Sequence, residues 1–142
     1  MAINFYFEQT IALAQRNRLK VFISSIFNKE KCPPTDIDYI FCGDEYLLNI
    51  NKEFLKHDFY TDIITFDLSD KKNYFQTGEI YISVDRVKDN AKIQGVSVMQ
   101  ELHRVIFHGA LHLCGYKDKT KLQKRLMRMR EDYYLSKYGL FI

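Results

Sequence analysis

The chain has 142 residues, 46% of them apolar and 27% charged, with a formal net charge of +3. That is one domain's worth of sequence, residues 1–142, with enough apolar surface to bury a core. No apolar run approaches the ~20 residues of a membrane-spanning helix, and three unpaired-looking cysteines (Cys32, Cys42, Cys114) argue against a disulfide scaffold or a cysteine-rich zinc site.

The opening MAINFYFEQT lacks the basic-then-apolar layout of a secretory signal, so a cytoplasmic protein is expected. Within it, INFYFE alternates and is aromatic, which predicts a strand. NRLKVFISSIFNKE spaces Leu19, Phe22, Ile23 and Ile26 along one helical face. The prolines of CPP break the chain, and IDYIFCG predicts a second strand closed by Gly43. DEYLLNINKEFLKHD carries Leu47, Leu48, Ile50 and Phe54 at near-helical spacing. DIITFDL and GEIYISV predict the third and fourth strands.

Helices follow. DRVKDNAKIQG predicts a short one, with Asp85 as its cap and Gly95 as its stop. Ser97 opens the next with the spacing of a capping box to Gln100, and Gly115 ends it. The C-terminal half of that helix is apolar almost all round, which marks it as central and buried. Thr120 and Gln123 form a second capping-box spacing. The last helix is expected to turn Leu122, Leu126, Met129 and Tyr133 inward, with Lys121, Lys124, Arg125 and Arg128 facing away. Strands early and helices late predict an α+β fold: a small mixed sheet of about four strands packed on about five helices.

The chemistry concentrates in FHGALHLCGYKDKT. Four helical residues advance about 400°, so His108 and His112 project from one face, the geometry by which two imidazoles share a metal ion. Gly115 lets the chain turn back, and Asp118 then falls where a third ligand belongs. Two imidazoles on a nearly all-apolar helix half are costly to bury without partners. Glu101, two turns before His108 on the same stripe, either orients a ligand imidazole and so serves a catalytic site, or pairs with Arg104. His103 points elsewhere, and His57 sits in a polar loop.

Zinc peptidases of the H-E-x-x-H type carry a general base directly after the first histidine. Here that residue is Gly109, which cannot serve. Metal-assisted phosphodiester hydrolysis needs no such base, because positioning and charge neutralisation carry much of the work. Seven basic residues against one acid, Asp118, between Lys117 and Arg130 favour a polyanion, nucleic acid first. Lys121, Arg125 and Arg128 are the expected RNA contacts.

The stretch HGALHLCGYKD closely resembles the signature of the YbeY family of bacterial endoribonucleases and rRNA maturation factors. LLNINKEFLKHDFYTDIITF is similar to the family's loop-and-strand segment at Leu48, Asn49, Thr61, Asp62 and Phe66, and GEIYISVDRVKDNA to the strand and helix after it. The resemblance implies an α+β fold with a zincin-like metal helix and one Zn²⁺ held by three residues. It also implies single-strand RNA cleavage in 16S rRNA 3′-end maturation and ribosome quality control, with ribosomal RNA and the small ribosomal subunit as partners.

His108 and His112 match the family's ligands directly, while its third histidine falls on Asp118. A carboxylate there widens the expected metals to Mn²⁺ or Fe²⁺. The family's arginine after the loop aromatic is Leu55 here, with Lys56 and Arg104 as nearby substitutes, and its proline before Thr61 is Tyr60. Two rival readings stay open: a metallopeptidase with a zincin-like ligand set, and a non-catalytic ribosome-associated factor with a structural metal.

Overall fold

The computed structural model describes residues 1–70 and 76–140. Among them, four strands and five helices follow in the order β1 (Ile3–Phe7), α1 (Arg16–Lys29), β2 (Asp36–Cys42), α2 (Asp44–Leu55), β3 (Ile63–Asp67), β4 (Thr77–Ser83), α3 (Val84–Gln94), α4 (Val98–Leu113) and α5 (Lys121–Tyr138). The strand order is β1-β2-β4-β3, with β1, β2 and β4 parallel and β3 antiparallel to β4. The fold is α+β, as expected.

Alternation along the strands builds two faces. Ile37, Tyr39 and Phe41 of β2 and Ile80 and Ile82 of β4 point to one side, where Leu102, Ile106, Phe107 and Ala110 of α4 meet them. The Tyr39 hydroxyl, buried in this core, donates to the Ile106 carbonyl at 2.9 Å, so its polar atom is satisfied. On the opposite side Cys42, Leu47 and Ile64 form a smaller cluster beneath α2.

Helix α4 approaches the sheet closely at Gly109. A methyl group there would lie 2.8 Å from Ile80 Cδ1 and 3.2 Å from Ile63 Cδ1. Any side chain there would force Ile80 and Ile63 to shift. The smallness of Gly109 thus serves the close packing of α4 on the sheet.

Three local expectations change. The cap of α3 is Ser83, whose hydroxyl accepts from Arg86 N; Asp85 instead accepts from the Asp44 amide and the Gln9 side chain. Ser97 caps α4 by accepting from Gln100 N, while the full reciprocal box is found at Thr120–Gln123. The largest change is on α5, where Leu122, Leu126 and Met129 are 63%, 46% and 59% exposed. The inward residues are Met127, Glu131, Tyr134, Leu135 and Tyr138. Helix α5 carries two apolar stripes, and the one with Leu122, Leu126 and Met129 faces solvent.

Candidate active site

The end of α4 brings the proposed ligands together. The Gly115 amide donates to the His112 carbonyl at 3.0 Å and the Tyr116 amide to the Leu111 carbonyl at 3.1 Å, the paired bonds of a Schellman motif. Gly115 takes φ +103°, a left-handed conformation that a side chain would strain. The chain reverses there, and Asp118 returns to His108: Nε2 to Oδ2 is 3.3 Å. The His108 and His112 rings lie parallel within 5°, their centroids 6.4 Å apart.

His108 is held from its other nitrogen by Glu131 of α5, at 2.6 Å between Nδ1 and Oε2. Glu131 is 5% exposed and also receives Arg104 Nη1 at 3.1 Å. Arg104 in turn meets Asp132 at 2.7 Å and stands 3.9 Å from Glu101. The carboxylate that orients His108 is therefore Glu131 and not Glu101, which keeps to its Arg104 neighbour. The sequence signal for Glu131 was its spacing with Met127, Tyr134, Leu135 and Tyr138 on the inward stripe. Arg104 does not substitute for the arginine absent at Leu55, because its charge is already engaged by these three acids.

Burial sets the electrostatics. It raises the Glu101 pKa against the pull of Arg104, and Glu101 Oε1 is buried without a hydrogen bond. It raises Asp62 likewise, against the nearby His108. It lowers the His112 pKa, disfavouring the charged imidazolium. For His108 burial also lowers the pKa, but the hydrogen bond and charge of Glu131, with Asp118 and Asp62 nearby, outweigh it and the net shift is upward.

Two clefts flank the His108–Asp118 pair and share Thr61 and Ile63. One, of about 370 Å³, holds Asp62, Glu101 and Glu131 against Arg104, Lys124 and Arg128. The other, of about 250 Å³, runs past His112 to Leu55, His57 and Phe59. Of the expected RNA contacts, Arg128 lines the first cleft and donates to Gln94 at 3.0 Å, while Lys121 and Arg125 are exposed on α5 outside either cleft. Lys124, one helical turn before Arg128, is the basic residue brought into the cleft beside it. His103 is buried against Tyr138, with Nδ1 2.7 Å from the Met99 carbonyl, a packing role.

Among the described residues, no three His, Cys, Asp or Glu side chains stand close enough together to hold one ion. The donor chemistry nonetheless suits a metal. Bonds of ~2.0–2.1 Å to a tetrahedral ion place two donors roughly 3.3 Å apart, the separation of His108 Nε2 and Asp118 Oδ2. Four carboxylates border the first cleft (Asp62, Glu101, Asp118, Glu131) against three basic side chains, an excess that a cation balances. His112, on the same helical face, is a second imidazole whose ring centroid stands 6.4 Å from that of His108.

Comparison with known proteins gives a consistent result. The family model described as Endoribonuclease YbeY matches residues 4–139. Proteins named Endoribonuclease YbeY from Cytophaga hutchinsonii and Flavobacterium johnsoniae are 53% identical over 135 residues and 45% identical over 130. The first alignment covers 94% of both chains and the second 92% of both. The solution structure of a Thermotoga maritima protein shares the fold, with a TM-score of 0.64 and 24% identity, over 96% of this chain and 91% of that one.

Proposed function

The chain belongs to the YbeY endoribonuclease family, and from that premise we propose that it is a metal-dependent hydrolase cutting single-stranded RNA, in 16S rRNA 3′-end maturation and ribosome quality control. The observation that carries the reading is His108, fixed through Nδ1 by Glu131 and facing Asp118 through Nε2. His108, His112 and Asp118 would hold one Zn²⁺, or Mn²⁺ or Fe²⁺ given the carboxylate. When bound, such an ion supplies an activated water and a Lewis acid toward a phosphoryl oxygen.

The chain's own residues do the rest. Glu131 sets the tautomer of His108 and aims its Nε2 into the site. Glu101, buried with an unbonded oxygen and a pKa raised by that burial, is the carboxyl suited to take up and return a proton. Lys124 and Arg128 line the charged cleft and neutralise the phosphodiester backbone, which Lys121 and Arg125 extend along α5. The small ribosomal subunit is the proposed partner. The cytoplasm, whose reducing conditions suit three free cysteines, is the proposed location. No helix among the described residues is long and apolar enough to cross a membrane.

The peptidase alternative loses support at Gly109, where contact with Ile80 and Ile63 leaves no room for a general base. A purely structural ion is also disfavoured, since structural zinc sites are closed and the Asp118 side chain is 43% exposed between two clefts. The test is incubation of the purified protein with single-stranded RNA, duplex RNA and a peptide substrate. Internal cuts in the single strand alone are expected. Peptide cleavage, or RNA left intact under metal-replete conditions, would overturn the proposal.

A further inference from the structure

The aromatic cleft beside the candidate site has no role in the chemistry above. Its wall is the loop after α2. Lys56 closes that helix in a left-handed conformation, and Asn51, 2% exposed, then pins the loop twice. Its carbonyl accepts from the His57 amide at 3.1 Å, and its side-chain Nδ2 donates to the Phe59 carbonyl at 2.9 Å. The Tyr60 hydroxyl adds a bond of 2.6 Å to Glu45. The loop is thus preset before any ligand arrives. It presents His57 and Phe59 as stacked rings, centroids 5.1 Å apart and planes within 23°. Phe59 is 55% exposed.

An exposed, stacked aromatic pair on an anchored loop is a surface for another flat ring. The cleft it borders is continuous with His108, His112 and Asp118, and Lys119 stands among its lining residues as the cation. On the far side of His108 and Asp118 lies the charged cleft with Lys124 and Arg128. The two sides differ in chemistry: rings and Leu55 on one, basic side chains on the other. A nucleotide strand has the matching division, flat bases and anionic phosphates.

We propose that His57 and Phe59 form a stacking platform for one unpaired base of single-stranded RNA beside the candidate site at His108 and Asp118, with the backbone phosphates directed to Lys124 and Arg128. The proposal rests on the RNA-cleaving reading and extends it. Stacking needs a base free of its pair, so the platform selects single strands over duplexes. It tolerates any base, because each has a π face.

The test is binding of a short single-stranded RNA by fluorescence anisotropy, with chelator present so that the strand stays whole. Phe59→Ala should weaken binding on the order of tenfold, and Phe59→Trp should restore it. A strand with one abasic position next to the site should bind the unaltered protein equally weakly and show no further loss with Phe59→Ala. Duplex RNA should bind all variants alike. Unchanged affinity of the His57→Ala, Phe59→Ala double variant, or of the abasic strand for the unaltered protein, would overturn the platform and leave the nuclease reading in place. Absence of single-strand binding by the unaltered protein in chelator would overturn the platform alone; the nuclease reading falls only if RNA also stays intact under metal-replete conditions.

Discussion

Nδ1 of His108 lies 2.6 Å from Oε2 of Glu131, a residue 23 positions further along the chain and on a different helix. This contact joins α4 to α5 and leaves the opposite imidazole nitrogen directed at Asp118. Arg104 holds Glu131 in place through a buried ion pair of 3.1 Å. Removing one member of such a buried set leaves the others as unpaired buried charges, a costly state.

Replacing Glu131 by Gln keeps volume and removes the charge that orients His108. Zn²⁺ affinity, measured by competition with a chelating dye, should fall roughly 10- to 100-fold. Affinity unchanged from the unaltered protein would mean that Glu131 only joins the two helices.

Glu101→Gln should behave differently. Its carboxylate does not bond His108, so metal affinity should stay within about twofold of the unaltered protein. RNA cleavage should drop by on the order of 10² or more if the group transfers a proton. Normal cleavage would return Glu101 to a structural pairing with Arg104.

Two glycines separate packing from placement. Gly109→Ala puts a methyl group 2.8 Å from Ile80 Cδ1 in the core and should cost about 1–3 kcal/mol of stability in chemical denaturation. Gly115→Ala meets no atom within 4 Å but must hold φ near +103°, so it should cost about 1 kcal/mol. It should also weaken metal binding, because the turn it strains delivers Asp118. Equal metal affinity in both variants would contradict this division of roles.

Away from the site, Glu30 gathers the end of α1 onto α5, accepting from Tyr116 at 2.7 Å and from Tyr134 and Arg130. Burial pushes its pKa up, but these three donors outweigh burial and hold it below its ordinary 4.5. A carboxyl lowered on folding stabilises the native state above its unfolded value. That contribution is lost as pH falls from about 4.5 through the lowered native value. Thermal melts should therefore show a steeper acid loss for the unaltered protein than for Glu30→Gln. Near neutral pH the variant should be less stable by roughly 1.5–3 kcal/mol. Parallel acid profiles would contradict the assignment.

Much of the fold was legible because the signals are local. The alternation of IDYIFC and GEIYIS, the His108–His112 spacing and the Gly115 stop each depend on neighbours a few residues away. The inward face of α5 was not legible for the opposite reason. Leu122, Leu126 and Met129 form a better apolar stripe than the true one, which contains a carboxylate. Only the paired burial of Arg104 and Glu131, from two helices, makes a charge tolerable there. The same long-range pairing hid Glu131 as the partner of His108. The packing role of Gly109 was hidden in the same way, because Ile80 and Ile63, which meet it, lie on other elements.

On the proposed function, RNA cleavage depends on an ion bound by His108, His112 and Asp118. The most direct test of this dependence is single-strand cleavage by protein stripped with chelator and then titrated with Zn²⁺, for the unaltered chain and for Asp118→Ala and His108→Ala. Stripped protein should be inactive. The unaltered chain should recover full activity at one ion per molecule, and the two variants should bind the metal far more weakly and stay inactive while remaining folded by circular dichroism. Full cleavage by metal-free protein, or stoichiometric metal retained in both variants, would contradict it.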